Sequence, residues 1–321
     1  MSMEIDSINA YFEKQRKSKS GGYSSHMKYI VKKTDKTFEL CVESNKDVWK
    51  LADPWGFAAF DYAKRKLNVP LSLRFSMRYP LNKLEEQHSE AFKRRLSYLA
   101  DVNKLRITLN IGGQGAPLYK MSELAKRQDE VLRDKIVPRK DYNDSGKLEK
   151  DLQAFLIGMR LPKDKRTNER LALFGEDFVG NQNPRVVREF PTGVFRKDVS
   201  KTTRILPSEY IDFVTINKHG EIAIIELKFC TNPQLEVIAQ LLNYILFFYL
   251  YITDNNLTSL LAEHLECEPA NAGIKAYLVS NVFHIKLADI WPYYFKNGFC
   301  MPNKRQIKVQ QVKLGYYIQN N

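Results

Sequence analysis

Two segments in the second half of the chain decide the fold, residues 210–217 (YIDFVTIN) and residues 221–228 (EIAIIELK). Both are apolar runs of strand length, rich in β-branched and aromatic residues. The loop between them, residues 218–220 (KHG), predicts a hairpin whose glycine adopts the left-handed conformation. Side chains alternate along a strand, so this register places Asp212 opposite Glu226 on one face, with β-carbons about 4.5–5.5 Å apart.

This pair of carboxylates needs a counterion. Two like charges directly opposite weaken a sheet, and leaving both ionised inside apolar runs is costly. A divalent cation between Asp212 and Glu226 removes that cost, and oxygen-only ligands favour Mg²⁺ or Mn²⁺ over zinc. Lys228 is predicted on the same face, about 6–7 Å along the strand from Glu226, within reach of a water and a phosphate oxygen. The alternative is a surface ion pair between Glu226 and Lys228, with Asp212 protecting a sheet edge.

Two predicted helices contribute further polar residues. The helix predicted over residues 233–253 places Gln240 and Tyr244 four positions apart, on one face. The amphipathic helix predicted over residues 147–158 carries Glu149, a further carboxylate for the site if this helix packs over the sheet. The alternative is that Gln240 and Tyr244 are ordinary polar helix residues and that Glu149 faces solvent.

The order of these residues resembles the motif of the PD-(D/E)xK nuclease superfamily, which has the restriction-endonuclease-like fold. The resemblance covers about residues 145–282, less than half of the chain. It implies that Asp212 and Glu226 bind a metal ion and that the Leu227 carbonyl completes the ligand shell. It also implies that Lys228 is the catalytic lysine.

The resemblance extends to the flanking helices. It implies that Gln240 and Tyr244 correspond to the Q-x-x-x-Y element of some branches of the family, with Gln240 at the catalytic site and Tyr244 toward the nucleic acid. It implies that Glu149 is an upstream catalytic and metal-binding carboxylate. One position departs from the motif, because Ile211 rather than proline precedes Asp212.

The chain length and one linker-like segment predict two domains. At about 100–200 residues per domain, 321 residues favour two. Residues 137–146 (VPRKDYNDSG) have the composition of a linker. We therefore expect an N-terminal α+β domain over residues 1–140 and a nuclease-like domain over residues 141–321. The order of elements in the second domain predicts the α/β class, with a restriction-endonuclease-like mixed sheet flanked by helices.

Hydrophobic periodicity predicts the remaining elements. Strands are predicted over residues 27–33, 37–43, 71–77, 106–111, 185–190 and 275–280, and helices over residues 53–66, 84–102 and 121–134. The helix over residues 84–102 is predicted to carry a basic face at Lys93, Arg94 and Arg95.

The charge of the chain favours a polyanionic partner. Fifty Lys and Arg residues against 37 Asp and Glu residues give a formal net charge of +13. Such a surplus is typical of proteins that bind nucleic acid or a membrane surface, and the alternative is a basic surface that serves solubility. The candidate nucleic-acid contacts are Tyr244, Lys201, Arg204, Lys304, Arg305 and Lys308.

Other patterns exclude several classes of protein. The most apolar segment, residues 238–252, is interrupted by polar residues and is too short for a membrane span, and residues 1–12 do not resemble a signal peptide. The four cysteines are scattered, which argues against a zinc cluster or a disulfide framework and favours a reducing, cytoplasmic compartment.

These observations predict a Mg²⁺-dependent nuclease that hydrolyses DNA, an endonuclease of restriction, defence or repair type. The N-terminal domain is expected to recognise DNA, to hold a partner or to form a homodimer. Two alternatives remain open from the sequence, a non-catalytic nucleic-acid-binding protein that keeps the nuclease fold and an RNA nuclease.

Overall fold

The computed structural model describes residues 2–17, 22–34, 37–136, 149, 152–153, 170–180, 185–207, 209–266, 268, 272–295, 299–300 and 306–314. The chain divides into two compact units. The first unit contains Met1–Arg127, Leu235–Leu242 and Ile285–Asn297, and the second contains Gln128–Gln234, Asn243–His284 and Gly298–Asn321. Both units mix helices and strands, so the α/β class predicted from the sequence is confirmed.

Within these residues the helices are α1 (Ser2–Lys17), α2 (Ala52–Leu67), α3 (Lys83–Asn103), α4 (Met121–Leu124), α5 (Val237–Tyr251), α6 (Asn255–Leu265) and α7 (Leu287–Phe295). Two short 3-10 helices cover Ala172–Phe174 and Glu176–Phe178. No single described helix is long and apolar enough to cross a bilayer, and α5 and α6 reach that length only as a pair bent by 110°.

The first unit is built on a five-stranded sheet. Its strands are β1 (Lys28–Lys33), β2 (Phe38–Ser44), β3 (Leu71–Met77), β4 (Ile107–Ile111) and β5 (Gln114–Gly115), hydrogen-bonded in that order. The hairpin of β1 and β2 is antiparallel, whereas β2, β3 and β4 run parallel. Parallel neighbours need a crossover connection, and α2 and α3 supply the two crossovers.

A buried ion pair joins three helices of the first unit. Asp53 on α2 accepts hydrogen bonds of 2.7 and 2.9 Å from the Arg95 guanidinium on α3, and of 2.8 Å from the Tyr294 hydroxyl on α7. The predicted basic face of α3 is therefore wrong, because Arg94 and Arg95 are buried. Arg94 instead contacts Glu90 one turn earlier, at 2.9 Å.

The second unit is built on a six-stranded mixed sheet. Its strands are β7 (Val186–Pro191), β9 (Tyr210–Ile216), β10 (Ile222–Lys228), β11 (Ile274–Ser280), β12 (Phe299–Cys300) and β13 (Gln306–Lys313). The order across the sheet is β12-β13-β11-β10-β9-β7. The strands β10, β11 and β13 run parallel, and β9 is antiparallel to both β10 and β7.

An apolar core covers one face of this sheet. Phe213 of β9 and Ile225 of β10 pack there with Phe174 and Phe178 of the 3-10 helices and with Tyr277 of β11. The opposite face of the same strands is also buried, which explains why both strands are nearly continuous apolar runs rather than alternating ones.

A small separate sheet replaces part of a predicted helix. The helix predicted over residues 121–134 is wrong beyond α4, because residues 130–132 form β6 (Glu130–Leu132). This strand pairs antiparallel with β8 (Val194–Arg196). The tertiary pairing overrides a local composition that favours helix.

The division of the chain differs from the predicted boundary near residue 140. The first unit ends its continuous part at Arg127 and also takes in Leu235–Leu242 and Ile285–Asn297, which the sequence had assigned to the second domain. The hydrogen bond from the Tyr294 hydroxyl to Asp53 is one reason that α7 belongs to the first unit, because it buries that hydroxyl beside α2. The predicted helix over residues 147–158 lies outside the described residues, except for residues 149, 152 and 153.

Candidate active site

The hairpin of β9 and β10 has the register that the sequence predicts. The ladder runs from Ile222 opposite Ile216 to Ile225 opposite Phe213. Gly220 closes the loop with φ 72°, and its amide donates a 3.0 Å hydrogen bond to the carbonyl of Asn217. One step beyond the last ladder pair, this register brings Asp212 and Glu226 opposite each other.

The side chain of Asp212 binds a backbone amide just beyond the last pair of the β9–β10 ladder. Its Oδ2 accepts a 2.7 Å hydrogen bond from the backbone amide of Leu227, and its Oδ1 accepts one of 2.6 Å from the side-chain amide of Gln153. The carbonyl oxygen of Gln153 in turn accepts a 3.2 Å hydrogen bond from Arg188 on β7. Only 9% of Asp212 is exposed, so this chain of contacts holds a buried carboxylate in one orientation.

Glu226 is buried without a well-aligned donor. Its exposed fraction is 0%, and within the described part of the chain neither carboxylate oxygen has a hydrogen bond of good geometry. The Lys228 ammonium lies 2.8 Å from Glu226 Oε1 and 3.3 Å from Glu149 Oε1. Lys228 therefore stands between two carboxylates, at the end of β10 and near the surface.

Burial dominates the electrostatics of this cluster. Burial raises the pKa of Asp212 to about 6, although the Lys228 charge and the Leu227 amide oppose the shift. Burial and the neighbouring Asp212 charge raise the pKa of Glu226 well above its usual range. Burial opposes the charge of Lys228, but Glu226, Asp212 and Glu149 outweigh it and raise the pKa of the ammonium. Without a divalent cation, the surroundings therefore favour the protonated forms of both carboxyl groups.

The chemistry of this cluster fits a hard divalent cation. Two buried carboxylates face each other here, and the one ammonium beside them, that of Lys228, is shared with Glu149, so a further cation or a proton would lower the cost of burying both charges. No group of three or more His, Cys, Asp or Glu side chains arranged to hold a metal ion occurs among the described residues. Asp212 and Glu226 would thus be two ligands of an ion that keeps waters or phosphate oxygens in its other positions, as Mg²⁺ does.

The other predicted ligands have less direct support. Glu149 contacts Lys228 rather than either buried carboxylate, so the structure places it beside the lysine. Leu227 contributes its amide to Asp212, and the role predicted for its carbonyl stays a prediction. Gln153 was missed from the sequence, although its position four residues after Glu149 puts both on one helical face.

The two residues predicted on α5 take different places. Tyr244 is completely buried and its hydroxyl donates a 2.8 Å hydrogen bond to the carbonyl of Tyr210, so a direct contact with nucleic acid is not supported. Its contact instead anchors α5 to the start of β9, two residues before Asp212. Gln240 is half-buried in a segment that belongs to the first unit, and its catalytic role stays a prediction.

The predicted basic contacts are spread over the second unit. Lys201 is exposed, and Arg204 is half-buried with its guanidinium 5.3 Å from the centre of the Phe195 ring. Lys308 is exposed but lies level with the start of β10, 3.7 Å from Glu221, at the end of the strand away from Lys228. Lys308 is therefore remote from Lys228, and its predicted contact with nucleic acid stays a prediction. Lys304 and Arg305 lie outside the described residues.

Neither a scan against protein-family models nor a search of curated proteins finds a match to this chain.

Proposed function

We propose that this protein is a metal-dependent nuclease that hydrolyses phosphodiester bonds of DNA, built on a restriction-endonuclease-like fold of the PD-(D/E)xK type. One observation carries the proposal, the convergence of two buried carboxylates, Asp212 and Glu226, with the Lys228 ammonium 2.8 Å from Glu226. Buried acidic side chains with raised pKa values and a specific cationic partner are typical of active sites.

The chain supplies three functions at this site. Asp212 and Glu226 would hold Mg²⁺ or Mn²⁺, an ion that activates water and stabilises negative charge on a phosphate when it is bound. Gln153 and the Leu227 amide keep Asp212 in a fixed orientation. Lys228 provides a positive charge that would orient the attacking water and stabilise the charge developing on the phosphate. Glu149 restrains the Lys228 ammonium from its other side.

The net charge of the chain favours a polyanionic substrate. A formal net charge of +13 favours a polyanion, and attack by water on a backbone phosphate would break the P–O3′ bond and leave a 5′-phosphate. We propose that the first unit recognises DNA, holds a partner or forms a homodimer. We also propose a cytoplasmic location, which the free thiols of Cys41 and Cys230 support because a reducing compartment keeps thiols unpaired.

A second candidate is a non-catalytic nucleic-acid-binding protein with the same fold. The observation in its favour is that Lys228 already contacts both Glu226 and Glu149, so part of the acidic charge is neutralised within the chain. A nuclease for RNA is the third candidate, since the same site chemistry would cleave either backbone.

A panel of digests separates these candidates. The purified full chain is incubated with plasmid, linear duplex, single-stranded DNA and RNA, with Mg²⁺, with Mn²⁺ and with a chelator. We expect DNA cleavage that requires the cation and that Asp212→Asn abolishes, while the matched control Asp101→Asn, at an exposed carboxylate, cuts like the wild type. Intact nucleic acid in every cation sample, together with a gel shift, would leave the binding protein as the correct assignment.

A further inference from the structure

The small sheet of β6 and β8 in the second unit carries two arginines on one face. Val131 of β6 pairs with Phe195 of β8, and Phe195 forms an isolated bridge with Arg204 on its other side. Directly opposite residues share a face of a sheet, as do residues two apart on a strand. Arg133 follows Val131 by two positions, so Arg133, Phe195 and Arg204 lie on the same face.

Both guanidinium groups contact one buried ring. The guanidinium carbon of Arg133 lies 5.6 Å from the centre of the Phe195 ring, and that of Arg204 lies 5.3 Å from it. Both distances are within cation–π range. Burial lowers the pKa of Arg204, and the charge of Arg133 lowers it further. Two like charges are thus held close together on a partly dehydrated surface.

The carboxylate of the same strand faces away from this pair. Glu130 lies on the opposite face of β6. It stands opposite Arg196 in the ladder with β8, and it accepts a short hydrogen bond from the Tyr251 hydroxyl. Arg133 makes no ion pair with any residue that the structure describes, and its Nε is buried without a hydrogen-bond partner there.

A second cluster in the chain provides the contrast. In the first unit, Lys93 and Arg127 lie 4.1 and 4.5 Å from the centre of the Tyr119 ring. There Glu90 accepts a 2.7 Å hydrogen bond from the Tyr119 hydroxyl and lies 3.8 Å from Arg127. Two cations on a ring are therefore balanced by a carboxylate in one place, whereas Arg133 has no carboxylate partner within the described ranges.

The position of the arginine pair connects it with the candidate active site. Ser200 and Thr203 brace the loop before Arg204, with their hydroxyl oxygens 2.8 Å apart. The amide of Thr192, in the connection between β7 and β8, donates a 3.0 Å hydrogen bond to the carbonyl of Glu209, which brings the small sheet next to Tyr210, the first residue of β9. Tyr210 shares a face of β9 with Asp212, about 6–7 Å further along the strand.

We propose that Arg133 and Arg204 form an anion site that binds a backbone phosphate of the nucleic acid, beside the carboxylate pair. The proposal rests on the proposed function for the identity of the polymer. A guanidinium presents planar donors that match phosphate oxygens, and an anion between two guanidinium groups removes their repulsion. The buried Nε of Arg133 would gain a ligand or an ordered water in the same complex.

The test is nucleic-acid binding in the presence of a chelator, so that no cleavage is needed. Binding of a fluorescent DNA duplex to the full chain is measured by anisotropy over a series of KCl concentrations. We expect Arg133→Gln and Arg204→Gln each to weaken binding about tenfold and to reduce the slope of log K against log salt by about one. The matched control is Arg127→Gln, whose guanidinium also contacts a ring but lies near Glu90, and it should keep the wild-type slope.

Three results would overturn the proposed anion site. Glutamine variants that fold normally by circular dichroism and keep the wild-type slope would overturn the proposal. If the glutamine variants do not fold, the lysine variants decide, because they keep the charge but lose the planar donors, so an unchanged Kd for Arg133→Lys and Arg204→Lys would overturn it. Inorganic phosphate that stabilises the wild type but not Arg133→Gln, with an unchanged DNA slope, would identify a site for a small anion and would also overturn it.

The binding test and the nuclease test fail separately. A reduced slope in both glutamine variants, without any cleavage by the wild type, would support the arginine site and reject the nuclease. Cleavage by the wild type with an unchanged slope in both glutamine variants would do the reverse.

Discussion

The side-chain amide of Gln153 donates a 2.6 Å hydrogen bond to Oδ1 of Asp212. With the Leu227 amide on Oδ2, both oxygens of a carboxylate at the end of the β-ladder are held by the protein. Asp212 is thus oriented before any ligand arrives, and its remaining lone pairs are available beside Glu226. This relationship makes Gln153 a positioning residue for the candidate metal site.

Replacing Gln153 should weaken the site more than the fold. We expect Gln153→Ala to lower the affinity for Mn²⁺ and the cleavage rate by roughly tenfold or more, as loss of outer-shell partners of metal ligands does. A titration of Mn²⁺ followed by calorimetry measures the affinity. Gln153→Glu should not restore it, since a second acidic group beside Asp212 raises the cost of ionising both. Unchanged metal affinity in Gln153→Ala would remove Gln153 from this role.

Lys228 should be essential for turnover but not for DNA binding. We expect Lys228→Met to reduce the cleavage rate by about 10²–10³, the usual cost of removing one group that stabilises transition-state charge. Anisotropy with a DNA duplex in chelator should give a Kd close to that of the wild type. Lys218→Met is the matched control, because Lys218 is an exposed lysine in the loop between β9 and β10, at the end of β10 away from Lys228. Cleavage by Lys228→Met at the wild-type rate would contradict the assigned role.

The carboxylate pair should make the metal-free protein less stable as pH rises. The pKa of Asp212 is raised from 3.8 to about 6 and that of Glu226 is also raised, so folding favours the protonated forms. The stability that protonated Asp212 contributes is complete below about pH 4 and is lost as pH rises through 6, at up to about 1.4 kcal/mol per pH unit for each proton.

Urea unfolding in chelator between pH 4 and 8 measures this loss against Asp212→Asn, which lacks the titrating group. We expect the wild type to lose stability relative to the variant over that range and Mg²⁺ to recover it above pH 7. Parallel curves for the two proteins would show that Asp212 titrates normally. Asp101→Asn, at an exposed carboxylate, serves as the control.

The buried ion pair of the first unit should be costly to break. Asp53→Ala leaves the Arg95 guanidinium and the Tyr294 hydroxyl without their shared acceptor in a region with no exposed surface. We expect a loss of about 3–5 kcal/mol in the free energy of unfolding, measured by denaturant titration. Asp101→Ala, whose ion pair with Lys104 is exposed, should change stability by less than about 1 kcal/mol. Equal effects of the two substitutions would contradict this assignment.

Much of the second unit's sheet could be predicted from local patterns. The hairpin of β9 and β10 has strong signals at short range, because both strands are apolar, the loop is short and Gly220 tolerates a positive φ. The helix predicted over residues 121–134 failed beyond residue 124, because the pairing of β6 with β8 joins segments that are about 60 residues apart and outweighs local propensity. No periodicity within one segment reports such a partner.

The candidate site also combines features that local spacing predicts with features that depend on distant segments. The spacing of Asp212, Glu226 and Lys228 along one hairpin was sufficient to predict that they converge, because alternation and register are local properties of paired strands. The contact from Gln153 to Asp212 and the shared ring of Arg133 and Arg204 depend on segments that are distant in sequence. The buried positions of Arg95 and Tyr244 depend on which helices pack together, so polar residues that a pattern assigns to the surface become core contacts.

The sequence by itself determined the α/β class, the hairpin register and the facing pair of acidic side chains, since each of these follows from the alternation of residues within about 20 positions. Only the tertiary structure decided that this acidic pair is buried, which side chains orient it, and that two arginines from separate segments share one face of a small sheet. Burial and long-range pairing are properties of the packed chain, because the surroundings of a side chain come from residues that are remote along the sequence.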